Sequence, residues 1–224
     1  LNKKKDSINF FQLLSWDNYL ACYDEQIENI KNNLDKYDYK FENIGSISLE
    51  GNKLFNINKN KQELVVSIFD VSAYKPRFIL FEQGPYNYYN YKNLNKFYQD
   101  IFNVLEKIDT KWKIVVKQKR PLVKQKGLLQ NKDFLKFSKL SILNSNKKIK
   151  VIPGDVNANS IVSNSNLVIS MPYTTPSFVA RDHGIPTFFY DPSGSLPEHV
   201  LSKNIPLISN KEIMTNFIKK FSNN

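Results

Sequence analysis

A single cysteine, Cys22, and only two histidines, His183 and His199, stand among the 224 residues. One thiol makes no disulfide framework, and Cys22 beside Ala21 in an apolar run reads as a small buried hydrophobe. Neither histidine has a second ligand at a productive spacing, so no metal site is expected. His183, just before Gly184, suits a helix C-terminus, where an imidazole meets the last carbonyls. His199, in Pro197-Glu-His-Val200, is the better placed of the two to face a ligand. The seven glycines form no Gly-x-Gly-x-x-Gly after a strand, and there is no phosphate-loop lysine motif, nucleophile elbow or zinc-protease pair. A dinucleotide oxidoreductase and a nucleoside-triphosphatase are therefore poor candidates. No run approaches the roughly 18 apolar residues that cross a bilayer, and no signal peptide opens the chain, so cytoplasmic residence is expected. The first residue is leucine, which leads to the expectation of an upstream domain.

Charge is what the chain has in excess: 32 Lys and Arg against 21 Asp and Glu, a formal net charge of +11. Such a field steers anionic ligands. Most of it is lysine mixed with asparagine throughout, a compositional bias rather than a patterned arginine surface. Without zinc-finger spacing, a recognition-helix pattern or an RNA-binding sheet signature, nucleic acid is not expected as a partner. An anionic nucleotide, or peripheral association with the negatively charged inner face of a membrane, benefits from the same field.

Residues 1–16 read as a linker or the remnant of an upstream element, and residues 17–224 as one Rossmann-like α/β domain. Strands are expected at Asn18–Tyr23, Phe41–Ile47, Leu64–Phe69, Trp112–Val116, Ile149–Ile152, Leu167–Ile169 and Thr187–Tyr190. Leu64–Phe69 is apolar apart from Ser67, as a strand buried on both faces requires. Lys150 in the middle of its strand calls for an edge position. Helices are expected after Asp24, over Leu94–Ile108, around Phe134–Leu143, after Asn157 or Asn159, over Ser177–Asp182, and over Lys211–Lys219. Ser72–Tyr91 reads as a long aromatic loop. The alternation of strand and helix predicts a mostly parallel α/β sheet with helices on both faces. Strand order cannot be read from it.

The candidate chemistry lies in three turns that follow strand ends, where an open α/β sheet places its ligands. Ser170-Met-Pro-Tyr-Thr-Thr-Pro-Ser177 offers Ser170, Tyr173, Thr174, Thr175 and Ser177 at a helix N-terminus, whose unpaired N–H groups and dipole favour a phosphate. An ordinary helix cap is the alternative. In Asp191-Pro-Ser-Gly194, Asp191 can accept from a sugar hydroxyl, Ser193 can donate to phosphate, and Gly194 permits close backbone approach. A purely structural turn is equally open. Lys117, Lys119 and Arg120 follow a third strand and would stabilise a leaving phosphate if that strand neighbours the one ending at Ser170. Alternation puts Lys117 and Lys119 on one side and Gln118 on the other. Asp70 and Asp155, each after a strand, could order a loop or contact a substrate.

Ile169-Ser-Met-Pro-Tyr-Thr-Thr175, followed by Gly184-Ile-Pro186 and Tyr190-Asp-Pro-Ser-Gly194, resembles the polysaccharide-biosynthesis proteins named for a Pro-Phe-Thr-Ser motif. Phe69-Asp70, the Lys117–Arg120 segment and the Gly84–Asp100 region share the likeness, which covers most of the chain from Asp17 onward. Tyr173 and Thr175 replace the motif's Phe and Ser and keep the ring and the hydroxyl. The resemblance implies a glycosyltransferase of surface-polysaccharide biosynthesis, similar to the C-terminal, nucleotide-sugar-binding domain of the GT-B fold. It implies a sugar-nucleotide donor as substrate, no cofactor and no metal, and a glycan or glycolipid acceptor. Its catalytic base or nucleophile would come from a facing upstream domain. A more distant likeness to sialyl- and Kdo-type transferases implies a CMP-sugar. The alternative reading is a non-catalytic nucleotide-binding or assembly module of a polysaccharide system.

Overall fold

The computed structural model describes residues 18–33, 40–45, 63–73, 88–108, 112–119, 149–197 and 204–222. The linker expected over 1–16, the helix expected around Phe134–Leu143, Arg120, His199 and the loop between 74 and 87 lie outside the described residues. The described residues fall into two compact units, one within 18–45 and the other comprising the remainder.

In the first unit, β1 (Asn18–Ala21) and β2 (Lys40–Asn43) pair in parallel, with α1 (Asp24–Asn33) between them in sequence. Tyr19 stacks on Phe41 with ring centroids 5.5 Å apart. Asp24 is the first residue of α1, and its carboxylate accepts from the Asn43 amide at 2.8 Å. The start of α1 is closed from within: the Cys22 N–H donates to Gln26 Oε1 at 2.9 Å. Cys22 is a free, half-buried thiol. The second strand ends at Asn43, short of the expected Ile47.

The second unit is built on β3 (Leu64–Phe69), β4 (Trp112–Lys117), β5 (Ile149–Ile152), β6 (Leu167–Ser170), β7 (Thr187–Tyr190) and β8 (Leu207–Ile208). They form one parallel sheet in the order β5-β4-β3-β6-β7-β8. From β3 the chain therefore builds outward to β5, returns to the centre and builds outward the other way to β8. The reversal lies between β3 and β6. An edge place for β5 fits Lys150, and β8, two residues long, is an element that apolar periodicity did not signal.

Alternation within the strands sorts the core into two layers. Val66 and Ile68 of β3, Ile114 and Val116 of β4, and Leu167 and Ile169 of β6 pack with α2 (Tyr91–Lys107) and α5 (Lys211–Ser222). Val65, Val115 and Val168 face α3 (Ala158–Ser163) and α4 (Thr175–Asp182). Helix α2 carries most of the first layer, with Phe97, Tyr98 and Ile101 fully buried; each such side chain contributes roughly 1.5–3 kcal/mol by leaving water. Asn90 caps it by accepting the Asn93 N–H at 2.9 Å, so the helix begins three residues before the expected Leu94. Asn157 caps α3 in the same way. Helix α4 ends as expected at Gly184, whose φ of +67° is the left-handed value glycine tolerates, and Ile185 N–H returns to Ala180 O at 2.8 Å.

Candidate functional site

Pairing registers place Ile152, Lys117, Phe69, Ser170, Phe189 and Leu207 level across the sheet. The segments that follow them share one carboxyl edge, and the reversal point between β3 and β6 lies in the middle of it. In an open parallel sheet this is where neighbouring connections diverge and leave a crevice. The three sequence-predicted turns all reach this edge. The turns after β6 and β7 follow neighbouring strands, but β3 separates the basic segment from Ser170 by two strand spacings, about 10 Å.

At the end of β3, Asp70 stands between α2 and the basic segment. Its Oδ2 accepts from the Tyr98 hydroxyl at 2.9 Å and its Oδ1 from the Lys119 backbone N–H at 2.6 Å. Burial pushes this carboxyl from 3.8 up to about 7, against the lowering effect of both hydrogen bonds and of the Lys117 and Lys119 charges. Lys117 turns away from the centre: its ammonium donates to Gly154 O at 2.9 Å, in the turn after β5. Burial lowers its pKa more than Asp70 and Asp155 raise it. Gln118 is buried on the α2 side, opposite Lys117, while Lys119 is exposed. Of the two described cations of this segment, Lys119 is the one open to solvent.

The turn after β6 combines a strained backbone with a buried hydroxyl chain. Tyr173 holds φ +58°, unusual for a residue with a Cβ and costing roughly 1–2 kcal/mol. Its hydroxyl donates to Pro197 O at 2.8 Å, and its ring leans on Phe189, centroids 5.8 Å apart. Thr174 makes no side-chain cap bond, because its hydroxyl donates to Met171 O at 2.8 Å. Pro176 has no N–H and Ser177 N–H reaches Thr174 O at 3.3 Å, which leaves the Thr175 N–H as a first-turn donor without an intrahelical acceptor.

Ser170 and Ser177 lie beneath the turn, both fully buried. Thr187 donates to Ser177 at 2.9 Å, the two serine hydroxyls are 2.6 Å apart, and Ser170 donates to Met171 O at 3.2 Å. One proton order satisfies every member: Thr187 to Ser177, Ser177 to Ser170, Ser170 to Met171 O. This chain joins β7, α4 and β6 beneath the turn. Strand parity explains it, since Ser170 shares the α4-facing side with Val168. Ser177→Ala leaves the Thr187 hydroxyl without its acceptor, and we expect a loss of about 1–3 kcal/mol in denaturant unfolding with nucleotide affinity unchanged. An affinity loss without a stability loss would place Ser177 on the ligand instead.

Asp191 is buried and organises the turn after β7. Its Oδ1 accepts from the Tyr88 hydroxyl, Ser193 N–H and Ser193 hydroxyl, each at 2.8 Å, and its Oδ2 from Leu196 N–H at 2.9 Å. Burial raises this carboxyl, but the Leu196, Ser193 and Tyr88 donors outweigh it and hold it below the usual value. Ser193 is exposed, with its hydroxyl 2.6 Å from that of Ser195. Gly194, at φ +67°, lets the turn fold back toward Ser209.

Sequence reasoning missed the residues that hold these turns in place. Tyr89 donates to Pro172 O at 2.8 Å while its neighbour Tyr88 donates to Asp191, so the lead-in to α2 grips both turns. Lys96, one helical turn into α2, donates to Pro192 O. It also approaches the buried Asp100 carboxylate at 3.3 Å, as does Lys211 from α5, and the Tyr190 hydroxyl donates to that carboxylate at 2.8 Å. The available signal was the polar Asn90 before a helical apolar period, which makes Tyr88 and Tyr89 part of a helix entry rather than of a free loop. His183 sits at the end of α4 with Nδ1 2.8 Å from Val179 O, a structural role. Among the described residues no group of three or more His, Cys, Asp or Glu side chains is placed to hold a metal ion. None of the described helices is long and apolar enough to cross a membrane.

Residues 2–218 match the family described as polysaccharide biosynthesis PFTS motif protein. No curated protein sequence matches the chain. Among solved structures, a Listeria monocytogenes protein described as a UDP-N-acetylglucosamine 2-epimerase is similar at 14% identity and a TM-score of 0.44, over 73% of this chain and 37% of that one. The spinosyn rhamnosyltransferase is similar at 15% identity and a TM-score of 0.43, over 80% of this chain and 41% of that one. The pneumococcal O-GlcNAc transferase GtfA, crystallised with UDP and GlcNAc, is similar at 10% identity and a TM-score of 0.47, over 92% of this chain and 38% of that one. The chain thus spans about two fifths of the length of these proteins. Likenesses of this size say nothing about the reaction.

Proposed function

Since the chain belongs to the polysaccharide-biosynthesis proteins of the PFTS motif, we propose that it is the nucleotide-sugar-binding domain of a glycosyltransferase, with residues 17–224 forming that domain. The observation that supports this reading is that the strained Tyr173 turn and the N-terminus of α4 after β6, and the exposed Lys119 after β4, lie on either side of the end of β3 along one carboxyl edge. The Thr175 N–H and the helix dipole would meet the donor phosphate, with Thr174, Ser193 and the Gly194 backbone along the same edge. Lys119, and Arg120 beyond it, would neutralise the charge that appears on the departing nucleotide. Lys117, Ser170, Ser177 and Asp191 would act from behind, by shaping the turns. The acceptor would be a glycan or glycolipid and the base or nucleophile would come from a facing domain. Action at the inner face of a membrane agrees with the excess of lysine.

Titration calorimetry with CMP, UDP and GDP tests the reading. Binding to one of them at micromolar to sub-millimolar strength is expected, with Lys119→Ala weakening it by about tenfold, roughly 1.4 kcal/mol. No heat from any of the three at millimolar concentration would sink the nucleotide site. A preference for CMP would support a CMP-sugar donor. Tight nucleotide binding in a full-length protein that transfers no sugar would favour an assembly module.

A further inference from the structure

The Asp70 side chain divides its two hydrogen bonds between the basic segment and α2. The residue closes β3 at the centre of the carboxyl edge, and its backbone N–H already leans on β4, 3.4 Å from Lys117 O. Beyond Lys117, β4 has no further strand partner, so nothing in the sheet ladder fixes the course of the chain at Lys119. The Asp70 carboxylate supplies what the ladder does not. It takes the Lys119 N–H at 2.6 Å, while the Tyr98 hydroxyl, on a helix packed against the sheet, holds its other oxygen at 2.9 Å. Tyr98 is itself fully buried and stacked on Phe102, centroids 5.8 Å apart, which makes the anchor rigid. The groups facing Asp70 are Tyr98 from α2 and Lys117 and Lys119 from the β4 side. On the β6 side of β3 the Met171 N–H donates to Phe69 O at 3.2 Å.

We propose that Asp70 is the positioning residue of the basic segment: its carboxylate fixes the Lys119 backbone, and with it the place of the Lys119 ammonium at the crevice. This rests on the nucleotide-binding reading for its functional consequence, but the anchoring stands on its own. The physical logic is that a long flexible lysine offers an anion little unless its backbone is already placed, because ordering it on binding costs conformational entropy. A carboxylate aimed at a backbone N–H does this without neutralising the ammonium, which stays exposed. Asp70 touches no reacting atom in this scheme; it acts through Lys119.

Two measurements on the full chain test it. In amide hydrogen exchange, the Lys119 N–H of Asp70→Ala should exchange about tenfold faster than in the wild type, the loss expected of one hydrogen bond. Asp70→Asn, which keeps an acceptor oxygen, should restore most of the protection. Tyr98→Phe removes one hydroxyl, keeps the packed ring, and should speed the same amide by a smaller factor. Lys119 protection unchanged in Asp70→Ala, or, if that variant does not fold, unchanged in Tyr98→Phe, overturns the proposal. The second measurement is UDP, CMP and GDP affinity in Asp70→Ala, Lys119→Ala and the double variant. Each single change should weaken binding about tenfold and the double change no more than either alone, because both act through one group. Losses that multiply in the double variant overturn the positioning role. A wild type that binds none of the nucleotides removes the nucleotide-site reading, while the exchange result still decides whether Asp70 holds Lys119.

Discussion

Asp191→Ala should lower the unfolding free energy by about 3–5 kcal/mol, a large share of the roughly 5–15 kcal/mol that holds a domain together. The carboxylate is wholly buried and is the shared acceptor for the Tyr88 hydroxyl, two bonds from Ser193 and the Leu196 N–H. Truncation strands these donors at once, and a buried donor without a partner costs more than the bond itself contributed. It also frees Tyr88, whose hydroxyl is kept protonated by burial and by the Asp191 charge. The effect should reach the neighbouring turn, because Tyr89, held beside Tyr88 at 5.3 Å between ring centroids, is the donor to Pro172 O. Asp191→Asn keeps an oxygen for Tyr88 and Ser193 but sets an amide against the Leu196 N–H, and about 1–2 kcal/mol is expected. Urea unfolding of the two variants measures both. If Asp191→Ala were as stable as the wild type and only nucleotide binding suffered, Asp191 would be a ligand contact and not the organiser of its turn.

Stability should fall as pH rises from about 5 to 8, and Asp70 is the reason. Its folded pKa, about 7, lies above the ordinary 3.8. Between those values the folded state keeps a proton that the unfolded chain has released. The associated stability is therefore fully present below pH 3.8 and is lost as pH rises through about 7. For a shift of this size the ceiling on the loss between about pH 5 and pH 8 is roughly 2.5 kcal/mol. Asp191 has the opposite sign: its lowered pKa gives stability that is present above the ordinary value and is lost only in more acid solution. The two carboxylates thus act in separate windows. Asp70→Asn should flatten the neutral limb and leave the acid limb intact, as read by denaturant midpoints across pH. Parallel profiles for the variant and the wild type would refute the assignment.

Much of this fold was legible from apolar periodicity. The runs at Leu64–Phe69, Trp112–Val116 and Thr187–Tyr190, and the helical spacing from Leu94 to Ile108, are long and apolar enough to name their element type, and Lys150 was enough to put its strand at an edge. The two-residue β8 was invisible, because two residues carry no period. Asn90 and Thr175 begin their helices earlier than the apolar pattern does, since caps and first turns are polar by nature.

The three turns of the candidate site were likewise identifiable by residue type, with hydroxyls, small residues and cations following strand ends. What residue type could not supply was direction. Strand parity sends Ser170 toward α4 and Asp70 toward Tyr98, and only the packed helices turn that parity into a buried hydroxyl chain in one case and an anchor for Lys119 in the other.

By itself the sequence determined the type of the longer described strands and helices, because burial of a repeating apolar pattern depends only on near neighbours along the chain. Strand order was decided by tertiary structure alone: central strands that are apolar on both faces look alike to any neighbour, so nothing local says that β3 should separate β4 from β6. That one fact moves Lys117 away from Ser170, brings Asp70 to the middle of the carboxyl edge and sets the exposed Lys119 beside it. The order is settled by how six strands and the helices on both faces bury their apolar sides together, a condition on the whole domain that no single segment carries.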